Sequence, residues 1–203
     1  QRLPPPPQDG LLANLDVEAA AAALERGDRE LARLFVEMFK PIEPAVTVAF
    51  AAVGAFPWRE VPAYVLGQLV AAVLASAALV GLVGSGASLG ATVPAVELGA
   101  AFGLEVILTF FLMFVITAVA TDARAHGQLA AVAIGGTVAL CALMGGPLTG
   151  ASMNPARSLG PALVSGVSES QWLYVVAPIA GALLGAFAYR AVALDPPRGA
   201  AAG

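Results

Sequence analysis

The sequence predicts an all-α membrane protein with four full transmembrane helices and two short helices that are too short to span a bilayer. Its 203 residues are 59% hydrophobic and 12% charged, whereas a soluble domain carries about 25% charged residues. Four apolar runs of 18 to 23 residues follow one another after position 60, and about 20 such residues cross the hydrocarbon of a bilayer. The charges are uneven, because residues 1–43 hold 13 of the 24.

Residues 1–42 are expected to form a polar arm followed by an amphipathic helix. Pro4–Pro7 is a polyproline II stretch with nothing to pack in a core. Residues 15–39 repeat apolar side chains at helical spacing, but six charges between positions 25 and 33 are too many for a lipid-spanning segment. Two interpretations stay open: a soluble or partner-packed amphipathic helix, or a helix lying at the membrane surface.

The remaining elements follow from apolar runs and their breaks. Each span ends at a Gly/Pro-rich or polar stretch, where hydrophobic periodicity stops. Three aromatic residues near the ends of the last span are expected to anchor it at the interface: Trp172, Tyr174 and Tyr189. The predicted order is a short helix 44–54, spans 61–83, 98–120 and 129–146, a short helix 154–165, a span 172–194 and a tail 195–203.

The second short helix is the first candidate site. Asn154 is a favoured N-cap residue, because its side chain can accept from an N–H of the first turn. Pro155 fits the first helical position, where its missing N–H costs nothing. A short helix at membrane depth is tolerated only inside protein or beside a water-filled cavity. The segment is therefore a candidate pore lining.

An earlier segment of the chain has a similar sequence pattern. Glu43-Pro44-Ala45 and Asn154-Pro155-Ala156 each open a short helix beside a full span. In a four-span topology the two short helices enter from opposite faces, which is a transport architecture. Two helix N-termini that point at each other create a positive potential, and this disfavours cations and protons.

The basic residues predict the orientation. Four arginines share one side of the four-span topology: Arg59, Arg124, Arg190 and Arg198. The other side has only Arg157, which we place in the pore. Because cytoplasmic loops carry the excess of Lys and Arg, we expect Arg59, Arg124 and the C-terminus to be cytoplasmic in a multi-pass protein of the cell membrane.

Residues 147–162 read Pro-Leu-Thr-Gly-Ala-Ser-Met-Asn-Pro-Ala-Arg-Ser-Leu-Gly-Pro-Ala, and this resembles the second Asn-Pro-Ala loop of the aquaporin, or major intrinsic protein, family. The flanking residues look most like the nodulin-like intrinsic proteins and their bacterial, aquaglyceroporin-like relatives. Glu105 with the apolar residues 107–112 is similar to the family's fourth helix, and Gly181–Gly185 to its sixth. The resemblance covers about residues 43–194.

The sequence departs from the family pattern near its start. The family has six full spans, and nothing in residues 1–42 is apolar enough for the first two, so we expect those helices to be absent or replaced. The first family loop usually reads His-x-Asn-Pro-Ala. Here Pro41 stands for the His and Glu43 for the Asn, followed by Pro44 and Ala45.

The resemblance implies roles for the second loop. The amide of Asn154, in the motif completed by Pro155 and Ala156, would donate a hydrogen bond to water or a solute hydroxyl; the alternative is capping alone. Arg157 would be the constriction arginine, donating to solute oxygens and repelling cations. The alternative is an interfacial arginine that reaches to water.

Two small residues fall at the other constriction positions that the resemblance implies. Ala142 stands where strict water channels usually carry His, and Ala151 is the second small position. Together with Arg157 they imply a wide filter that passes glycerol, urea or uncharged metalloid acids as well as water. The absent second helix would have supplied the fourth constriction residue.

Two carboxylates are unusual in this context. Glu105 lies inside a span, where a charge is expensive unless it is partnered. By resemblance it accepts from backbone N–H groups of the Asn154 loop; a proton relay is the alternative. Glu43 would attract cations if it were ionised in a pore. The competing interpretation places Glu43 at a membrane surface, capping the helix that Pro44 begins.

The first expected function is a passive channel for water and small uncharged solutes, with the tetrameric assembly of the family. The second is a non-conducting relative that acts as a structural or assembly partner. The third is an adaptor whose residues 1–40 bind a soluble partner. The sequence offers no nucleophile–base pair, metal cluster or phosphate loop, so we expect neither an enzyme nor a cofactor. The net charge of −4 also argues against nucleic-acid binding.

Overall fold

The computed structural model describes residues 43–84, 89–121 and 129–193. Its regular structure is helical throughout these residues, and it confirms four full spans and two short helices. The predicted N-terminal arm and amphipathic helix, the turn with Arg124 and the C-terminal tail lie outside the described residues. The helices are α1 Pro44–Ala52, α2 Val61–Val83, α3 Leu98–Thr121, α4 Leu129–Thr149, α5 Pro155–Ser165 and α6 Leu173–Ala193.

The third span runs further than the sequence indicated. We expected it to end at Gly146, before Pro147, but α4 continues to Thr149. A proline removes one N–H donor and disturbs the turn before it, yet the following turn can still close. Here the N–H of Gly150 donates to the carbonyl of Gly146 at 3.0 Å. The longer helix brings Thr149 up to the loop that precedes Asn154.

Helices α3 and α6 form the central packed pair of the described residues. Two glycines of α6 allow the close approach: a Cβ at Gly181 would collide with the carbonyl oxygen of Val106, and one at Gly185 with that of Phe110. Small residues at such contacts let helix backbones approach in membranes. Tyr189 packs edge-on against Phe114 of α3 at 5.3 Å between ring centroids.

The two short helices enter from opposite ends of the bundle. Arg190, near the end of α6, donates to the carbonyl of Val53 at 3.0 Å, just after α1 ends. Arg157 of α5 donates to the carbonyl of Gly90 at 2.6 Å, in the connection between α2 and α3. The C-terminal end of α1 therefore lies with the end of α6, and α5 lies with the α2–α3 connection. The two short helices also contact each other.

The aromatic residues of α6 differ from expectation. Trp172 is 56% exposed, as an interfacial anchor should be, but Tyr174 is fully buried and Tyr189 is 9% exposed. The hydroxyl of Tyr174 donates to the carbonyl of Thr149 at 2.7 Å. Because α6 lies against α3 along its length, these tyrosines face protein instead of the interface, and the prediction of anchoring was wrong for both.

Candidate functional site

Asn154 is fixed at the N-terminus of α5. It has extended backbone angles, and its Oδ1 accepts from the N–H groups of Ala156 at 2.9 Å and Arg157 at 3.1 Å. These bonds satisfy two first-turn donors that the helix itself leaves unpaired. They also orient the amide group. Its NH₂ has no acceptor among residues 43–84, 89–121 and 129–193, so it is available to donate to a bound molecule.

The backbone before Asn154 is held in an unfavourable conformation. Ala151 has φ +43° and Met153 has φ +53°, both in the left-handed region, which costs non-glycine residues of order 1–3 kcal/mol each. Such a conformation persists only when surrounding contacts enforce it. The contacts of Glu105 supply that enforcement.

Glu105 binds the loop from inside α3. It is fully buried. Its Oε1 accepts from the N–H of Ser152 at 2.9 Å and from the hydroxyl of Thr149 at 2.7 Å, and its Oε2 accepts from the N–H of Met153 at 2.8 Å. A buried carboxylate that accepts several N–H and O–H bonds is well compensated. These three hydrogen bonds hold the loop in place. None of them involves the side-chain NH₂ of Asn154.

A buried hydroxyl cluster, formed by Thr92, Ser152 and Ser158, supports the other side of the loop. Thr92 donates to Ser158 at 2.7 Å, and the Ser152 and Ser158 hydroxyls bond to each other. Ser152 also donates to the carbonyl of Asn154 at 2.9 Å. All three side chains are at most 4% exposed.

The hydroxyl cluster was not predicted from the sequence. Ser152 and Ser158 stand on either side of Asn154 inside the quoted motif, and their small polar side chains in an apolar context were an available signal. Thr92 is 66 positions from Ser158, in a Gly/Ser/Ala-rich loop that contains no recognisable motif. Nothing in the sequence alone pairs those two residues.

Arg157 lies in the first turn of α5, close to Asn154 in the chain. Its side chain is exposed, and its guanidinium donates to the carbonyl of Gly90. That carbonyl is its only acceptor within the part of the chain that the structure describes. The remaining N–H groups of the guanidinium are free to donate to a solute.

The two candidate alanines differ in exposure. Ala142 is exposed on α4, one residue after the buried Cys141. Ala151 is only 6% exposed and packs in an apolar cluster with Leu108, Leu112, Cys141 and Met153. The methyl group of Ala142 is thus accessible, whereas that of Ala151 lies beneath the loop surface. Pro155 and Ala156 are buried in the first turn of α5.

Glu43 occupies the N-cap position of α1, but its side chain makes no capping hydrogen bond. The expectation that it caps this helix was wrong, because its carboxylate is one methylene further from the backbone than that of a good N-cap residue. One carboxylate oxygen is buried without a partner among the described residues. Pro44 and Ala45 behind it are buried.

Comparisons with known proteins converge on one family. The sequence profile described as "Major intrinsic protein" matches residues 41–189. Aquaporin NIP6-1 of Arabidopsis thaliana is 52% identical over 153 residues, which cover 75% of this chain and 50% of that protein. Nodulin-26 of Glycine max is 53% identical over 150 residues, which cover 73% and 55%. The chain spans about half the length of these curated relatives.

A solved structure is similar in fold. The aquaglyceroporin from Plasmodium falciparum superposes with a TM-score of 0.65 and 21% sequence identity. The superposition covers 90% of this chain and 84% of that one. At this identity the likeness concerns the fold of the helices.

Proposed function

The chain belongs to the major intrinsic protein family, and on that premise we propose that it forms a passive transmembrane channel for water and small uncharged solutes. The observation that carries the proposal is the amide of Asn154. Two backbone N–H groups hold its oxygen, and its NH₂ is left to donate at the N-terminus of α5. The names of the relatives, aquaporin and aquaglyceroporin, support the same function.

The mechanism needs no chemical step. A water molecule or solute hydroxyl would exchange its hydrogen bonds with bulk water for those of the site, one at a time. The Asn154 NH₂ and the guanidinium of Arg157 both donate, so the passing molecule presents its oxygen to the site. The N-terminus of α5 adds about half a positive elementary charge, whereas at the N-terminus of α1 an ionised Glu43 would offset the same contribution. Together with Arg157, the charge at α5 would oppose the passage of cations.

The solute class is inferred from the small residues that the family resemblance assigns to the constriction beside Arg157. Ala142 leaves space where a larger residue would narrow the path, and its methyl group is exposed. We propose glycerol, urea and uncharged metalloid acids as solutes besides water. Each presents oxygen atoms that an arginine fork can bind.

The membrane setting is part of the proposal. Arg59 and Arg190 lie at the ends of α2 and α6 that share one side of the bundle. By the excess of positive residues on cytoplasmic loops, we place that side, Arg124 and the C-terminus in the cytoplasm. The protein would be a homotetramer of the cell membrane, as the family resemblance implies.

Stopped-flow light scattering on proteoliposomes tests the solute class. Vesicles with the whole chain are mixed with gradients of glycerol, urea or boric acid, beside empty vesicles. We expect entry of all three solutes above the empty-vesicle rate. Arg157→Ala should raise the ratio of glycerol to water permeability, because it removes the arginine that narrows the path.

Arg59→Ala is the matched control. The side chain of Arg59 is 77% exposed, and among the residues that the structure describes its one ion pair is with Glu60, at 3.5 Å, so its loss should leave permeability unchanged. Solute entry at the empty-vesicle rate, from protein shown to be folded and inserted, would refute the channel. That result would favour the alternative function of a non-conducting assembly partner.

A further inference from the structure

We infer that Thr92 is a positioning residue of the proposed pore: it fixes the carbonyl of Gly90 and, through that carbonyl, the guanidinium of Arg157. The consequence for solute selectivity rests on the proposed function. The consequence for the position of Arg157 does not, because it follows from contacts within the protein.

Thr92 is held at both its side chain and its backbone. Its hydroxyl donates to Ser158 of α5 at 2.7 Å. Its carbonyl accepts from the side-chain amide of Gln171 at 3.0 Å, just before α6 begins. Thr92 is 1% exposed and Ser158 is fully buried. Hydrogen bonds between buried groups are costly to break without replacement, so Thr92 has one defined position.

Packing adds to these hydrogen bonds. Gly150 has φ +83°, and a Cβ there would lie 2.9 Å from the methyl carbon of Thr92. Position 150, in the loop before Asn154, therefore has room beside Thr92 only for a glycine. Three residues on, the N–H of Ala95 donates to the carbonyl of Leu148 at 2.8 Å. The connection between α2 and α3 is thus docked on the end of α4.

The link to Arg157 is short. Gly90 precedes Thr92 by two residues, and Arg157 directly precedes Ser158. The connection and α5 are therefore joined by two neighbouring hydrogen bonds: Arg157 to the Gly90 carbonyl, and Thr92 to Ser158. A shift of Thr92 away from Ser158 would move the Gly90 carbonyl. Arg157 would then lose its acceptor and regain the rotamer freedom of an exposed arginine.

Thr92→Val is the informative variant. Valine has nearly the same shape as threonine and replaces the hydroxyl with a methyl group. Ser158 keeps its bond to Ser152, so no buried hydroxyl is left alone and the fold should persist. Thr92→Ser restores the donor. Thr109→Val is the matched control, because Thr109 is also fully buried and its hydroxyl donates to the carbonyl of Glu105 in its own helix.

The first readout does not depend on conduction. Purified protein in detergent is treated with phenylglyoxal, and modification of each arginine is followed by peptide mass spectrometry. Loss of one hydrogen bond should raise the modification rate of Arg157 in Thr92→Val by about threefold. Thr92→Ser and Thr109→Val should match the wild type, and Arg59 should react equally in all four proteins.

The second readout is selectivity in proteoliposomes. Thr92→Val should raise the ratio of glycerol to water permeability, in the direction of Arg157→Ala but less, and Thr92→Ser should restore the wild-type ratio. An Arg157 modification rate that is the same in Thr92→Val and wild type overturns the inference, whatever the permeabilities are. If wild-type vesicles conduct nothing, the proposed function fails, and the modification rate alone decides the role of Thr92.

Discussion

At the scale of single residues, Asn154 and Glu43 show how side-chain length decides whether an N-cap residue caps its helix. Both precede a proline that begins a short helix. Asn154 is short enough for its oxygen to accept from two first-turn N–H groups. Glu43 makes no such bond. The N-terminus of α5 is thus capped by a side chain, and that of α1 is not.

Replacing Glu43 by Asn should therefore stabilise the protein. The variant gains a capping oxygen worth about 1 kcal/mol and removes a carboxylate oxygen that is buried without a partner. Glu43→Gln is the control, because it removes the charge but keeps the length. Thermal unfolding in detergent should rank Asn above Gln and above the wild type. An Asn variant that is no more stable than the Gln variant would contradict the capping argument.

Glu105→Gln should destabilise the loop before Asn154. The carboxylate accepts three hydrogen bonds, and an amide would turn an NH₂ toward donors of the loop. We expect a loss of about 1.5–3 kcal/mol, the range for hydrogen bonds to a charged group. The measurement is the free energy of unfolding in mixed micelles. Glu97→Gln, at an exposed position directly before α3, should cost at most about 1 kcal/mol, the contribution of a negative charge at a helix N-terminus; equal effects of the two changes would refute this role of Glu105.

At the scale of elements, the contact between α3 and α6 depends on glycine. Gly181→Ala places a methyl group against the carbonyl of Val106, and overpacking of this kind costs about 1–3 kcal/mol. Gly103→Ala is the control on α3, because a Cβ there meets nothing within 4 Å. Melting temperatures should fall for Gly181→Ala and hold or rise for Gly103→Ala. A fall in both melting temperatures would contradict the claim that the close contact at Gly181 is the cause.

Much of the helical framework could be predicted, because span length and hydropathy are local properties. The four spans have mean hydropathies of 1.7 to 2.4 and are read directly from the sequence. The end of α4 was less visible, since the turn after Pro147 closes through a backbone hydrogen bond. The burial of Tyr174 depends on which face of α6 meets α3. The pairing of Thr92 with Ser158 depends on how the connection between α2 and α3 packs on α5, and this cannot be predicted from local composition.

At the scale of the whole molecule, the ends of the two short helices are tied to opposite sides of the bundle. Arg190→Ala should free the C-terminal end of α1, because its bond to the Val53 carbonyl is lost. Amide hydrogen exchange should rise at residues 50–56 and stay constant at the end of α5. The same pattern of exchange in Arg59→Ala, or no change in Arg190→Ala, would contradict the claim that the Arg190–Val53 hydrogen bond holds the end of α1.

The spans also differ in how much protein covers them. About a third of the residues in the most apolar stretch of α3 and of α6 are buried inside the described part of the molecule. The corresponding share is 6% for α2 and 11% for α4. Helices α3 and α6 therefore make the packed centre that carries the Asn154 loop, through Glu105 on α3 and Tyr174 on α6. The apolar faces of α2 and α4 are suited to lipid or to further apolar helices.

The most direct test of the central claim, that the Asn154 site lines a water path, is the osmotic water permeability of proteoliposomes carrying the whole chain. Vesicles should shrink faster than empty vesicles in a sucrose gradient, and Asn154→Ala should remove most of that increase. Ser165→Ala, at the far end of α5, where the hydroxyl donates to the Pro161 carbonyl of its own helix, should behave as the wild type. Shrinkage at the empty-vesicle rate from inserted, folded protein, or an unchanged rate in Asn154→Ala, would contradict the account.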